Sequence, residues 1–419
     1  MPNARQTIKL MTASPDLNRL LDCLRLEDQA EKLARLKNFT DDDWKLVYHQ
    51  ARRHELISLL YGALNHPGDL LALPDWLRES LRQHCLHTTR RNLLLQHEIS
   101  TVLPQLEAAG IPAIILKGLH LAELVYQDIS LRPMVDVDLL VKEQHLEAAG
   151  QIMTQAGFTP YLPLQFEHPQ SHHHLPPFCK PGIAVIEIHW GILPPAMGLN
   201  IDLTGLWQRA RPVSIAGIST LTLSPEDLLL HLCVHFHQHN FKLGLKHLYD
   251  IAAALKFYRG TLDWDQIILR AQQWGASKQV FLVLHLAHEL LNAPAPAQML
   301  ASLEPVGFNA QIEAMIRSRV LKTSGQPIIH PELVRLRSSL PLKEKISAFL
   351  RTVFPPSAYL ARMYHLPLDS KIVYLYYFVR LKDLLGQYGR QIWLMLRNDP
   401  GTQGYTSQEN MLDAWLTAP

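Results

Sequence analysis

"ILKGLHLAELVYQDISLRPMVDVDLLV", residues 115–141, ends one apolar run in a Lys-Gly step and sets an Asp-x-Asp inside the next. A strand repeats every two residues, so in "MVDVDLLV" Asp136 and Asp138 share one face while Val135, Val137 and Leu139 point the other way. Two carboxylates this close repel each other unless something positive lies between them. A divalent cation such as magnesium meets that need, because it takes oxygen ligands and shares carboxylates with substrate phosphates while keeping several waters. The alternative is an edge strand with a solvated face.

Three neighbouring features bear on that choice. "IAVIEIHW", 183–190, is a second alternating run, with Val185, Glu187 and His189 on one face and Ile186, Ile188 and Trp190 on the other. An acid in such an apolar strand is costly to bury unless it is paired or binds a metal. Lys117 and Gly118 follow the strand "AIIL" and open the helix "LHLAELVY", where glycine lets the backbone approach an anion and free helix-start amides favour phosphate. Arg132, four residues before Asp136, carries a planar fork suited to a phosphate or a carboxylate.

Outward from this stretch the chain has three textures. Residues 1–110 are a helical N-terminal region, with helical spacing in "LNRLLDCLRL" and "NLLLQHEISTVLPQLEAAG" and a helix start at Asp41 to Asp43. Residues 111–224 form an α/β core of short β-rich runs: "PAIILK", "MVDVDLLV", "IAVIEIHW", "PVSIAG" and "ISTLTL". Between the second and third, "EQHLEAAGQIMTQAGF" is helical and stops at Gly157, a left-handed cap. From 225 to 419 the chain is a helical C-terminal region, opened by Ser224 as N-cap and Pro225 as first helical residue, with breaks at 292–298 and near 326–331 and 354–357. The fold class is α+β.

Composition narrows the function classes. With 419 residues, 47% hydrophobic and 19% charged, the chain reads as a soluble globular protein of two or three domains. Its net charge of +2, from 40 basic and 38 acidic residues, gives no global attraction to nucleic acid or anionic membrane. Cys23, Cys85, Cys179 and Cys233 form no CxxC pair, so they point to neither a disulfide framework nor a zinc ribbon, and a cytoplasmic compartment fits. The N-terminus lacks the apolar core of a signal peptide, and no membrane span is expected. The most apolar stretch, 371–396, carries Lys371, Arg380, Lys382, Asp383 and Arg390 and reads as a buried amphipathic helix.

The stretch 113–141 resembles the bacterial uncharacterised nucleotidyltransferase family, a branch of the DNA polymerase beta-like nucleotidyltransferase superfamily. The matching residues are Lys117, Gly118, Tyr126, Arg132, Pro133, Met134, Asp136, Asp138, Leu140 and Val141, then Glu187, Ile188, His189 and Trp190. "LLLHLCVHFHQHNFKLGLKHLYDIAA" matches a later helical motif, and the resemblance covers about 100–260. It implies a polymerase beta-like mixed sheet with helices on one face, and a two-ion magnesium site on Asp136, Asp138 and Glu187. It also implies a nucleoside triphosphate as co-substrate, transfer of a nucleoside monophosphate to an acceptor hydroxyl, and Glu187 as general base. The acceptor, whether small molecule, peptide or macromolecule, is not implied. One departure from the wider superfamily is Lys117-Gly118 followed by Leu119 where Gly-Ser is usual, 18 residues before Asp136. Lys117 then either pairs with a phosphate or neutralises Asp136.

Other readings stay open. His231, His235 and His239 recur every four residues, with His237, His247 and "SHHHLPP", 171–177, as further candidates for zinc, although no HExxH is present. Lys242 and Lys246, at i and i+4, either bind the nucleotide or form a solvated face, and Asp250 is placed to pair with Lys246. A non-catalytic relative that binds a nucleotide or a partner, and an RNA-modifying toxin of a toxin-antitoxin pair, are the alternatives to a small-molecule or peptide modifier.

Overall fold

The computed structural model describes residues 15–65, 73–162 and 172–321, and beyond them most of 353–397 with a few isolated positions. The N-terminal stretch before Pro15, Ser171 and the break expected near 326–331 lie outside the described residues. The described residues through 321 belong, except for 161 and 162, to one compact unit, and those from 343 onward belong to a second.

Five helices lead into the sheet: α1 (Pro15–Leu24), α2 (Gln29–Leu36), α3 (Asp41–Arg53), α4 (Ile57–Leu64) and α5 (Asp75–Ala108). The Asp run at 41–43 does start a helix, because the Thr40 hydroxyl accepts from the Asp43 N–H while the Asp43 carboxylate accepts from the Thr40 N–H. Along α5, Leu95, Ile99, Val102, Leu103 and Leu106 recur at helical spacing and are buried against the sheet. Each such side chain stabilises the fold by about 1.5–3 kcal/mol.

Seven strands form one mixed sheet: β1 (Ile114–Ile115), β2 (Val137–Leu140), β3 (Thr159–Pro160), β4 (Phe178–Lys180), β5 (Ala184–His189), β6 (Arg211–Ile215) and β7 (Ile218–Thr222). Their order is β3-β4-β5-β2-β1-β7-β6, with β2 parallel to β5, β1 parallel to β7 and the other neighbours antiparallel. The β6–β7 hairpin turns through Ala216 and Gly217, both at positive φ, as a two-residue turn requires. Helix α6 (Lys117–His120) follows β1, and α7 (Leu146–Gln155) follows β2 and ends before Gly157 at φ 87°.

Val137, Leu139, Ile186 and Ile188 pack with α5 and α7 in one core, so the opposite face of β2 and β5 is left for Asp138, Glu187 and His189. Two strands are shorter than their sequence pattern. After β1 the backbone turns at Lys117, whose φ is 34°. Asp136 lies just ahead of β2 and Val135 is 64% exposed, because α5 side chains bond the backbone at 134 and 135 in place of a strand partner.

The rest of this unit is helical: α8 (Leu203–Arg209) precedes β6, and α9 (Pro225–Gln238), α10 (Gly244–Phe257), α11 (Trp264–Gln273), α12 (Ser277–Leu291), α13 (Ala297–Leu303) and α14 (Ala310–Leu321) follow β7. Ser224 caps α9 by accepting from the Asp227 N–H, with Pro225 in the first turn.

In the second unit, Ser357–Met363, a short turn at Lys371–Tyr374 and Tyr376–Leu396 are helical. Leu360, Ala361 and Val373 form a small core with Tyr364 and Tyr377 packed on it. The helix expected at 371–396 forms, but it is not buried: Phe378 is 75% exposed and Leu385 55%. Its packed side lies at its N-terminal end, where Tyr377 donates to the Pro355 carbonyl at 2.6 Å. Among the described residues, no helix is long and apolar enough to cross a membrane.

Candidate active site

Asp138 on β2 stands opposite Glu187 on β5, and the strands place both side chains toward a cleft of about 370 Å³. The cleft walls include Lys117, Arg132, Asp136, His173, His174, His189 and, from α9 and α10, His235, Lys246 and Asp250. Of the acids and cations singled out in the sequence, Lys117, Arg132, Asp136, Asp138, Glu187 and Lys246 line this cleft and Lys242 does not.

His189 follows Glu187 by one strand period and lies between the acids. Its Nε2 is 2.9 Å from Asp138 Oδ1 and 3.3 Å from Glu187 Oε2. Lys117 Nζ is 3.2 Å from Asp138 Oδ2. Asp138 is buried, which alone would raise its pKa, but the Lys117 ammonium and the bond from His189 hold it well below the carboxylate range. Burial likewise opposes ionisation of Glu187, yet the His189 bond lowers it on balance. Burial lowers the His189 imidazole, and the two carboxylates reverse that and raise it.

Asp136 has a different environment. Burial, and then repulsion from Asp138 and Glu187, push its carboxyl up to about 6, against some relief from Lys117 and Arg132. Asp138, Glu187 and His189 are the group whose ligand atoms all fall within 4.8 Å of one another. The donor set fits a divalent cation, with Asp136 on the same cleft wall but outside that group of three.

Lys117 holds a left-handed backbone rarely taken by a side-chain-bearing residue, and such strain concentrates at functional sites. Gly118 has a steric reason to be glycine. A Cβ there would lie 3.0 Å from Arg132 Nη1 and 3.4 Å from Met134 Sδ.

Arg132 is buried with its fork on Asp250 of α10: Nη2 donates to Oδ2 at 3.0 Å and Nε to Oδ1 at 3.2 Å. Tyr126 donates to the same carboxylate at 2.8 Å and stacks on Tyr249. Asp250 thus pairs with Arg132, whereas Lys246 reaches Glu55 at 2.8 Å. Lys242 does not share a helix face with Lys246. It lies in the turn before α10, where Asn240, Phe241 and Gly244 all take positive φ.

The α9 histidines do share a face, with ring centres of His231 and His235 6.1 Å apart and of His235 and His239 4.8 Å apart. Burial keeps His231 and His235 well below the ordinary imidazole range, and it takes His247 down to about 4. His173 and His174 from the "SHHHLPP" stretch lie against His189, ring centres 5.2 and 5.0 Å away. Burial and the neighbouring His189 lower His173 to about 2. These histidines form no compact three-donor group among the described residues, so a helix-face zinc site gains no support. The cleft instead holds one imidazole raised by acids amid neutral ones.

Two supporting residues on α5 escaped the sequence reading. Asn92 donates to the carbonyls of Ile129 at 2.6 Å and Arg132 at 2.8 Å and accepts from the Met134 N–H at 3.4 Å. Arg91 donates to the Met134 carbonyl at 2.7 Å. The available signal was Asn92 on the stripe of Thr88, Leu95 and Ile99, where an amide must find buried partners.

A mixed sheet whose adjacent parallel strands set two acids in register over a cleft is the arrangement of a nucleotidyltransferase fold. The chain belongs to the uncharacterised nucleotidyltransferase family, whose model matches residues 40–292, more than half of its length. The match takes in α3 to α5 as well as the sheet and α9 to α12. No curated protein and no solved structure gives a match.

Proposed function

We propose that this protein uses magnesium to transfer a nucleoside monophosphate from a nucleoside triphosphate to an acceptor hydroxyl, with pyrophosphate leaving. The observation that carries this reading is the register of Asp138 with Glu187, with Asp136 and Lys117 on the walls of the same cleft. Asp136, Asp138 and Glu187 would hold the ions. When bound, two such ions stabilise the attacking and leaving oxygens of an in-line displacement.

The chain's own groups divide the remaining work. Glu187 keeps 20% of its side chain exposed and its carboxyl lowered, so at neutral pH it is ionised and open to an acceptor proton. Lys117 brings an ammonium to the cleft, where a triphosphate offers it an alternative to Asp138. Arg132 acts at one remove: its fork on Asp250 fixes the segment that leads into Asp136. Lys246 and the neutral His235 stand on the α9 and α10 side, where base, ribose or acceptor would meet the wall. Gly118 leaves room for the Arg132 guanidinium.

Purified protein with magnesium and each of the four labelled nucleoside triphosphates is expected to bind at least one, and to release pyrophosphate when given a mixture of small-molecule, peptide and RNA acceptors. Asp138→Asn and Glu187→Gln should abolish release while leaving the fold intact. Failure of every triphosphate to bind, with both variants as stable as the parent or more so, would overturn the proposal.

A further inference from the structure

We infer that His189 is itself a metal ligand, and that the site for this reason binds manganese more tightly than it binds magnesium, the ion proposed above to support transfer. The inference rests on the acids being a metal site, and it adds a nitrogen donor to them.

Strand alternation puts Glu187 and His189 on one face of β5, and register puts Asp138 beside both on β2. The three-donor group in the cleft is consequently two carboxylates and one imidazole, not three carboxylates. His189 Nε2 lies within 3.3 Å of an oxygen of each acid, where a cation shared by them belongs. The ring is 2% exposed, so solvent offers it no competing partner, and its Nδ1 has no hydrogen-bond partner.

Ligand chemistry selects the ion. Magnesium demands oxygen donors and gives up water reluctantly, so a buried nitrogen in its inner shell is a poor exchange. Manganese accepts carboxylate, water and imidazole alike, and lies between the hard ions and zinc. Zinc binds sites of nitrogen and oxygen donors more tightly than manganese does, so the preference inferred here is for manganese over magnesium alone.

Full-length protein stripped of metal is titrated with manganese, free ion being read by electron paramagnetic resonance, and magnesium is then added as competitor. Manganese should bind about tenfold or more tightly than magnesium. Electron spin echo modulation of the bound ion should show nitrogen coupling from a directly ligated imidazole. His189→Asn should lose that coupling and about tenfold in manganese affinity, with magnesium affinity unchanged. His173→Asn, His174→Asn, His235→Asn, His239→Asn and His247→Asn should each keep the coupling, and that set decides the matter by elimination if His189→Asn does not fold. Absence of nitrogen coupling in the parent, its persistence in His189→Asn, or equal affinity for the two ions would overturn the inference. Transfer supported by magnesium without nitrogen coupling would sink this inference alone, whereas nitrogen-coupled manganese with no triphosphate bound would sink only the transferase reading.

Discussion

Arg132 and Asp250 form a buried ion pair across 118 residues of chain, Nη2 to Oδ2 at 3.0 Å, and it ties the segment before the cleft acids to α10. The pair joins two parts of the family motif that are far apart in sequence, and Tyr126 joins it through the same carboxylate. What holds the site is therefore partly outside the sheet.

Breaking that pair from one side should be costly. Asp250→Ala leaves a buried guanidinium unpaired and is expected to destabilise by about 3–5 kcal/mol, measured by denaturant unfolding. Arg132→Met, Asp250→Leu and Tyr126→Phe combined should recover most of the loss, because no buried polar group is then left without a partner. A combined variant as unstable as Asp250→Ala would count against this account.

Asp136 makes the opposite prediction. Its carboxyl is pushed up to about 6 by burial and by the other acids, so in metal-free protein it must ionise against its surroundings above that pH. The folded pKa is above the unfolded one, so the cost is absent below about 4 and complete above about 6. Asp136→Asn should accordingly stabilise the metal-free protein at pH 7.5 by about 1–3 kcal/mol and lose that advantage by pH 4. Thermal unfolding across this range checks the sign.

Histidines lowered by burial set an acid limit, and His120 and His247 are two of them. Burial lowers His120 and His247 to about 4, below the unfolded value near 6.5. A folded pKa below the unfolded one means the unfolded chain binds the extra proton, so stability falls as pH drops from about 6.5 to 4. Each group accounts for about 3 kcal/mol over that window, with the Asp136 effect partly offsetting it. His120→Asn should flatten the slope of unfolding free energy against pH even if it lowers stability at pH 7.

Asn92 supplies a prediction of mixed effect. Asn92→Ala removes its bonds to Ile129, Arg132 and Met134, leaving two buried carbonyls without a donor. The expected loss is about 1–3 kcal/mol. Metal affinity, followed by titration calorimetry, should fall as well, because the freed segment carries Asp136. Unchanged metal binding in a destabilised Asn92→Ala would restrict the residue to a structural part.

The chemistry was easier to see in the sequence than its supports. Alternation in "MVDVDLLV" and "IAVIEIHW" put Asp138 on one face of its strand and Glu187 with His189 on one face of another, since a strand leaves a side chain two directions only, and the family resemblance supplied that the two strands are neighbours. The length of β2 was not legible, because Arg91 and Asn92, forty or more residues upstream, occupy the backbone that would have extended it. The same distance hid the partner of Arg132: a guanidinium suits phosphate and carboxylate equally, and Asp250 was placed beside Lys246 by helical spacing alone. The shared helix face of Lys242 and Lys246 does not form for a local reason, since a turn of positive-φ residues cuts the helix the spacing assumed. The face of the helix at 376–396 was misjudged because amphipathic periodicity says which side is apolar, not whether anything covers it.

Arg91 and Asn92 have a practical consequence for anyone dissecting the chain. A fragment begun near residue 110, where the β-rich texture starts, would contain every acid of the cleft yet lack the helix that clamps 129–135 and fills one side of the core with Leu95, Ile99, Val102, Leu103 and Leu106. The smallest excisable piece that keeps the cleft supported must reach back through α5. A minimal fragment for expression should therefore be cut ahead of Asp75, not at the compositional seam.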